Sequence, residues 1–260
     1  MGSIHQEPKC SFYVYMRDVV LITGSSKGIG ASCILEFAKN NYNVIIHYNQ
    51  SRKEAFLLKE KIEKQYCVDV MCIACDLSKE NEIKNMVEQI IKRFGKIDVL
   101  VNNAAIALDC LFEEKTKENF LQTLDVNLVG PFLISKYIGN YMMKQKRGNI
   151  INISSTNGID TPFPMCLDYD ASKAGLISLT HNLAFQFAPY IRVNCVAPGW
   201  VGTENELKDV DEEYIKSEEE KIFLKRIARP EEIAHVVFFL ASDQSSYINN
   251  SVIRVDGGLY

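Results

Sequence analysis

A short apolar run, Val19 to Thr23, stops at a glycine-rich turn, Thr23-Gly24-Ser25-Ser26-Lys27-Gly28-Ile29-Gly30, and helical spacing follows directly. No other feature constrains the fold as much. A strand that turns through glycines straight into a helix is the opening half of a parallel crossover unit. The alternation then continues along the chain. Helical spacing is predicted over Gly28–Asn40, Arg52–Gln65, Lys79–Phe94, Glu118–Lys146, Tyr169–Phe187 and Pro230–Leu240. Between these lie apolar runs at Val44–Ile46, Val68–Ala74, Asp98–Val101, Asn149–Ile153, Ile191–Val196 and Ser251–Val255. Short runs rich in Val and Ile, alternating with amphipathic helices, predict an α/β fold with a parallel sheet covered on both faces. One domain is expected over 17–260, behind an irregular leader at 1–16.

Composition narrows the class further. The 260-residue chain is 47% hydrophobic and 24% charged, with a net charge of -4. That balance gives no electrostatic case for nucleic acid. No apolar run approaches the ~18 residues of a membrane span, and the start of the chain lacks signal-peptide features, so a cytoplasmic protein is expected. Eight cysteines raise the question of metal or redox chemistry, most pointedly at Cys72-Ile73-Ala74-Cys75. That segment has a strand pattern, and strand residues three apart point to opposite faces. The expectation is therefore buried reduced thiols and no metal site.

Two motifs carry chemistry. In the glycine turn, Gly24 permits the tight bend, Gly28 lets backbone approach a pyrophosphate, and Gly30 allows helix and sheet to pack closely. The helix start then offers free N–H groups and a partial positive charge. Far downstream, Tyr169 and Lys173 stand four apart, one helical turn, and so share a helix face. A cation there favours the phenolate and is expected to lower the tyrosine pKa from its usual ~10. Such a phenol can exchange a proton with an alcohol or carbonyl oxygen.

Taken with Asp76-Leu77, Asn102-Asn103-Ala104-Ala105, Asn127, Ile153-Ser154-Ser155, Asn194 to Gly199 and Asp256-Gly257-Gly258, these motifs resemble the short-chain dehydrogenases/reductases. The resemblance runs from Val19 to Tyr260. It implies a Rossmann-type doubly wound sandwich with a seven-stranded parallel sheet. It also implies a constellation of Asn127, Ser155, Tyr169 and Lys173. In it Ser155 orients the substrate oxygen, Tyr169 moves the proton, Lys173 tunes the tyrosine and holds the nicotinamide ribose, and Asn127 fixes a water behind Lys173. Counting back from Tyr169 by the family interval selects Thr156 instead. Aligning the strand end selects Ser155, because insertions fall more readily in loops. Ala105 stands where the family usually has glycine.

Cofactor contacts are expected from Gly24, Ser26, Lys27, Gly28, Ile29 and Gly30 in the turn and from Asn49 and Arg52 after the second strand. Asp76 and Leu77, then Asn103, Ala104 and Ala105, follow the third and fourth strands. Pro198, Gly199, Val201 and Thr203 follow the sixth, with Thr203 reaching the carboxamide, and Tyr169 and Lys173 complete the set. The second strand ends in His47-Tyr48-Asn49-Gln50-Ser51-Arg52, without an acid for a ribose 2′-hydroxyl. Lys27 and Arg52 suit a 2′-phosphate, so NADP(H) is expected over NAD(H), although Arg52 can equally be a solvated first-turn residue.

An acid-rich insertion at about 202–226, with nine carboxylates from Glu204 to Glu220, leaves the carboxyl end of a strand and reads as a substrate lid or a solvated helix pair. Thr161 to Leu167 would wall the pocket, with Phe163, Met165 and Leu167 making it apolar. Similarity to 3-oxoacyl-[acyl-carrier-protein] reductase-like members implies an acyl-thioester substrate, an acyl-carrier protein partner with Lys144, Lys146 and Arg147 as landing charge, and a homotetramer. A sugar or hydroxysteroid/bile-acid dehydrogenase stays open, as does a non-catalytic cofactor-binding regulator.

Overall fold

In the computed structural model, which describes residues 17–208 and 210–259, seven strands alternate with helices. The order is β1 (Val19–Ile22), α1 (Gly28–Lys39), β2 (Asn43–Tyr48), α2 (Arg52–Gln65), β3 (Val70–Ala74), α3 (Glu80–Phe94) and β4 (Val99–Asn102). Then come α4 (Lys117–Leu124), α5 (Gly130–Gln145), β5 (Gly148–Ile153), α6 (Leu167–Phe187), β6 (Ile191–Pro198), α7 (Glu204–Leu207), α8 (Glu212–Glu220), α9 (Pro230–Ala241) and β7 (Val252–Val255). The expected leader and the acid at Asp209 lie outside the described residues.

All strand pairs are parallel, in the order β3-β2-β1-β4-β5-β6-β7. The direction of winding reverses between β1 and β4, where open α/β sheets bind ligands beyond the strand carboxyl ends. Both sheet faces are covered. Val20 and Ile22 of β1 pack with Ile34 and Phe37 of α1 and with Ile233 and Val237 of α9. Val19 and Leu21 point the other way, into Ile83 and Ile90 of α3, Ile134 and Ile138 of α5, and Leu183 and Phe187 of α6. Alternate residues of one strand thus feed two cores, which is why the run is apolar throughout.

The zone Glu118–Lys146, expected as one helix, is interrupted. A π-helical turn at Asp125–Val129 separates α4 from α5. The extra residue in that turn rotates the face that follows it, and Asn127 is carried inward to 1% exposure.

The thiols divide as the strand geometry requires. Cys72 packs beside one core and Cys75 lies within the other, and both are free. The reading of every cysteine as a buried reduced thiol needs correction at Cys67. It is exposed in the turn between α2 and β3, and it is disulfide-bonded.

A buried ion pair joins α4, α6 and the loop after β4. Lys115 Nζ lies 2.8 Å from Asp168 Oδ1, with the two side chains 6% and 0% exposed. Thr123 Oγ1 donates to the other carboxylate oxygen at 2.7 Å, and Lys115 also donates to the Leu108 carbonyl. Burial pushes the Asp168 carboxyl up, but the bonds from Lys115 and Thr123 outweigh it and hold the group below the ordinary range. Its stabilising share is therefore present above the unfolded carboxylate pKa of ~3.9 and lost as pH falls through the depressed folded value. Removing one partner strands a buried charge. Lys115→Met is expected to lower stability by about 3–5 kcal/mol in urea unfolding, and adding Asp168→Asn should restore much of that loss.

Candidate active site

The site is assembled where the strands end. At the carboxyl end of β1, Gly24 has φ +61° and Gly28 φ +59°, conformations open to glycine. A Cβ on Gly24 would stand 2.8 Å from Ala104 Cα, and one on Gly30 would stand 2.6 Å from Asn103 Nδ2. Gly30 therefore makes room for the Asn103 amide and for the turn's own backbone, with Gly24 O at 2.7 Å and Ser25 Cα at 2.8 Å from the same Cβ position. That amide donates to Thr23 O at 2.9 Å and Gly24 O at 3.2 Å. Thr23 Oγ1 in turn accepts from Asn103 N and Ala104 N, both at 3.0 Å. The turn is thus clamped to the end of β4. Ala105, two residues after Asn103, is exposed.

Beyond the clamp, α1 starts at Gly28 with no side-chain cap on Lys27 and no acid in its first turn. The first N–H groups of a helix have no partner inside it. Ser26 and Ile29 are half-buried and Lys27 is exposed beside these donors. Uncapped donors, a backbone reachable because it carries no Cβ, and an adjacent ammonium fit an anionic pyrophosphate.

Other expected contacts are distributed around the same rim. Asn49 and Arg52 are exposed after β2. The Arg52 guanidinium lies 5.4 Å from the Phe56 ring centroid, and Phe56 meets Tyr48 edge-on at 6.5 Å. Asp76 follows β3, but its carboxylate accepts from Ser78 N at 3.0 Å and Ser78 Oγ at 2.7 Å, closing the turn into α3. Leu77 is buried, and a Cβ on Gly130 would sit 3.0 Å from its carbonyl. After β6, Gly199 N donates to Val255 O at 3.1 Å, and Val201 is buried in a bridge to Ala228. Thr203 caps α7, accepting from Glu206 N at 3.2 Å, and its methyl lies 3.4 Å from where a Gly28 Cβ would be. The start of the acidic segment therefore reaches the glycine turn. Farther along, Trp200 meets Tyr214 of α8 edge-on at 5.9 Å.

Tyr169 and Lys173 do share one face of α6, with Lys173 Nζ 5.3 Å from the Tyr169 ring centroid. Lys173 is 2% exposed and donates to Ile153 O, at the end of β5, at 2.8 Å. Ser155 is buried two residues on, its Oγ 3.1 Å from Asn157 Oδ1, while Thr156 is buried and begins a short helical turn. Asn127 exchanges bonds with Ile106, donating to its O and accepting from its N at 2.9 Å each, and donates to Ser172 Oγ at 3.1 Å. Ser172 Oγ donates back to Tyr169 O at 2.7 Å. The Asn127 amide thus holds the loop after β4 to α6 with all its donors engaged.

The electrostatics depart from the sequence expectation. Burial pushes the Tyr169 phenol well above the ordinary tyrosine range, the Glu206 carboxylate adds to this, and the Ser155 hydroxyl opposes it. Lys173 lies over the ring and bonds to a carbonyl, so its charge does not reverse that effect. Burial also lowers Lys173 itself, to about 8. The acid-rich segment was marked in the chain, but nothing in it singled out Glu206 as the carboxylate that reaches Tyr169; that proximity is tertiary.

Because burial penalises the charged amine, its cost is present below about pH 8 and is relieved as pH rises toward the unfolded ~10.4. In carbon-detected NMR, the Lys173 ε-methylene is expected to titrate near 8, ahead of surface lysines.

Among the described residues no cluster of metal-ligating side chains occurs, and no helix is long and apolar enough to cross a membrane. Comparison with known proteins points in one direction. Residues 24–260 match the family described as Enoyl-(Acyl carrier protein) reductase. The chain is 39% identical over 242 residues to 3-oxoacyl-[acyl-carrier-protein] reductase FabG of Thermotoga maritima, covering 93% of this chain and 97% of that protein. It is 35% identical over 242 residues to Glucose 1-dehydrogenase 2 of Bacillus subtilis, covering 92% and 93%. Among solved structures, acetoin dehydrogenase YohF of Salmonella typhimurium superposes with TM-score 0.85 at 33% identity, covering 94% of this chain and 96% of that one. A structure of ElxO with NADP bound superposes with TM-score 0.86 at 33% identity, covering 93% and 98%. The chain belongs to the short-chain dehydrogenase/reductase family and is an NAD(P)-dependent oxidoreductase acting on CH–OH and C=O groups.

Proposed function

We propose that the protein is an NADP(H)-dependent carbonyl reductase, with a 3-oxoacyl thioester as its substrate class. The observation that supports an acid role is geometric: the Tyr169 ring lies against Lys173 Nζ on one face of α6, Ser155 follows two residues after the carbonyl that Lys173 bonds, and burial holds the phenol above its ordinary range. A phenol kept protonated at neutral pH arrives as an acid, the form that carbonyl reduction needs. Tyr169 Oη gives its proton to the substrate oxygen as that oxygen gains charge. Ser155 Oγ donates a hydrogen bond to the same oxygen and orients it. Lys173, lowered to about 8, releases a proton more readily than a surface lysine and can replenish the phenol. When bound, the nicotinamide supplies the hydride.

Gly24, Ser26, Gly28, Ile29 and Gly30 would hold the pyrophosphate, and Thr203 lies near the turn's far end. Lys27 and Arg52 are exposed and have no carboxylate partner among the described residues, and Phe56 orients the guanidinium. Both cations are therefore available for a 2′-phosphate, and the ElxO structure holds NADP in the same fold. Delivery of substrate on an acyl-carrier protein is part of this reading, in line with the name of the FabG relatives, and assembly as a homotetramer is proposed with it.

A neutral hydroxylated ketone, of sugar or steroid type, is the second reading. Glu206 projects its charge onto Tyr169 from the acidic segment, which disfavours anionic groups at the mouth, and a glucose dehydrogenase is among the relatives.

A carbonyl panel followed by NADPH and NADH absorbance tests both readings; activity confined to neutral polyols or sterols would reject the thioester. Tyr169→Phe is expected to lose about 10²–10⁴-fold in kcat while still binding NADPH, and a variant that keeps most of its activity would show the proposed acid to be wrong. Arg52→Ala should raise KM for NADPH by about tenfold and leave KM for NADH nearly unchanged, the worth of a hydrogen bond to a charged group.

A further inference from the structure

His47 is a buried imidazole that the chemistry above does not use. It stands at the carboxyl end of β2 with 1% exposure. Gly24 N donates to its Nδ1 at 2.9 Å, and its Nε2 lies 3.0 Å from Cys75 O. A backbone N–H only donates and a carbonyl only accepts. The ring must therefore be neutral, bare at Nδ1 and protonated at Nε2. Burial, opposed by the bond to Cys75, keeps it so by lowering its pKa to about 4. The main chain beside it is paired as well: Ser25 N donates to His47 O at 3.0 Å and His47 N to Ser25 Oγ at 3.1 Å.

A satisfied core histidine is common and needs no function. This one differs in what it ties together. Gly24 belongs to the glycine turn after β1, His47 leads into Asn49 and Arg52 after β2, and Cys75 leads into Asp76 after β3. Those are the three segments that would surround the adenosine half of a dinucleotide. Gly24 itself has no side chain to orient its peptide, so the ring holds its N–H on one side while the Asn103 amide holds the carbonyls of Thr23 and Gly24 on the other.

We infer that His47 is a positioning residue for the dinucleotide: as the Nε2–H tautomer it fixes the Gly24 peptide against the ends of β2 and β3, and so shapes the adenosine side of the cleft. The inference rests on the dinucleotide reading of the glycine turn.

Two variants separate the arms. His47→Leu removes both bonds; His47→Asn keeps an acceptor near the Nδ1 position and loses the reach to Cys75. Affinities for NADPH, NADH and adenosine 2′,5′-bisphosphate are measured by calorimetry, alongside kcat at saturating cofactor. His47→Leu should weaken NADPH and the bisphosphate by the same factor, roughly tenfold or more, with kcat nearly unchanged, and His47→Asn should recover most of the affinity. Unchanged bisphosphate affinity in His47→Leu, a loss confined to kcat, or an Asn variant as weak as Leu would each overturn the inference. If the unaltered protein binds neither dinucleotide nor bisphosphate, the dinucleotide reading itself falls and takes the inference with it. Nitrogen NMR of the unaltered protein decides the tautomer whether or not the variants fold: a proton on Nδ1 overturns the proposal.

Discussion

Lys173 is a buried ammonium whose hydrogen bond to Ile153 O holds the site together. An ammonium taken out of water is costly unless its donors are met. The bond to the last residue of β5 engages one of the three donors and ties α6 to the sheet at one height. From that anchor the Tyr169 ring is set against the ammonium on the same helix face, and Ser155 follows two residues after the bonded carbonyl. The same burial that places these groups also sets their chemistry, raising the phenol and lowering the amine.

The glycine turn rests on a different device. There the chain gives up side chains so that backbone can come close, and neighbouring strands supply the order that side chains would have provided. Thr23 and Asn103 clamp the turn to β4, and His47 ties it to β2 and β3. The two devices lie along the carboxyl edge of one sheet, and Thr203, at the start of the acidic segment, packs on Gly28 of the turn. Parallel pairing makes this possible, because every strand end then lies on the same side.

Most of the architecture was legible in the chain. Runs such as Val19 to Ile22, apolar on both faces, and helices such as α2, whose bounds match the expected Arg52–Gln65, follow from side-chain periodicity alone. The π-helical turn at Asp125–Val129 was not legible, since nothing in helical periodicity marks an inserted residue. Nor was the direction of the Tyr169 shift. The spacing placed a cation near the ring, but the sign followed from burial and from Glu206, which arrives from a distant segment.

The sequence by itself determined an α/β order of elements, a glycine turn able to admit a phosphate, and a tyrosine and lysine on one helix face. These are local properties, set by spacing along the backbone and by the absence of side chains. Only the tertiary structure decided that Asp168 is neutralised by Lys115, that Asn127 holds Ile106, and that His47 bonds to Gly24 and Cys75. Those are contacts between residues far apart in the chain, and their energies depend on distance and on the exclusion of water, which exist only after the sheet has closed over them.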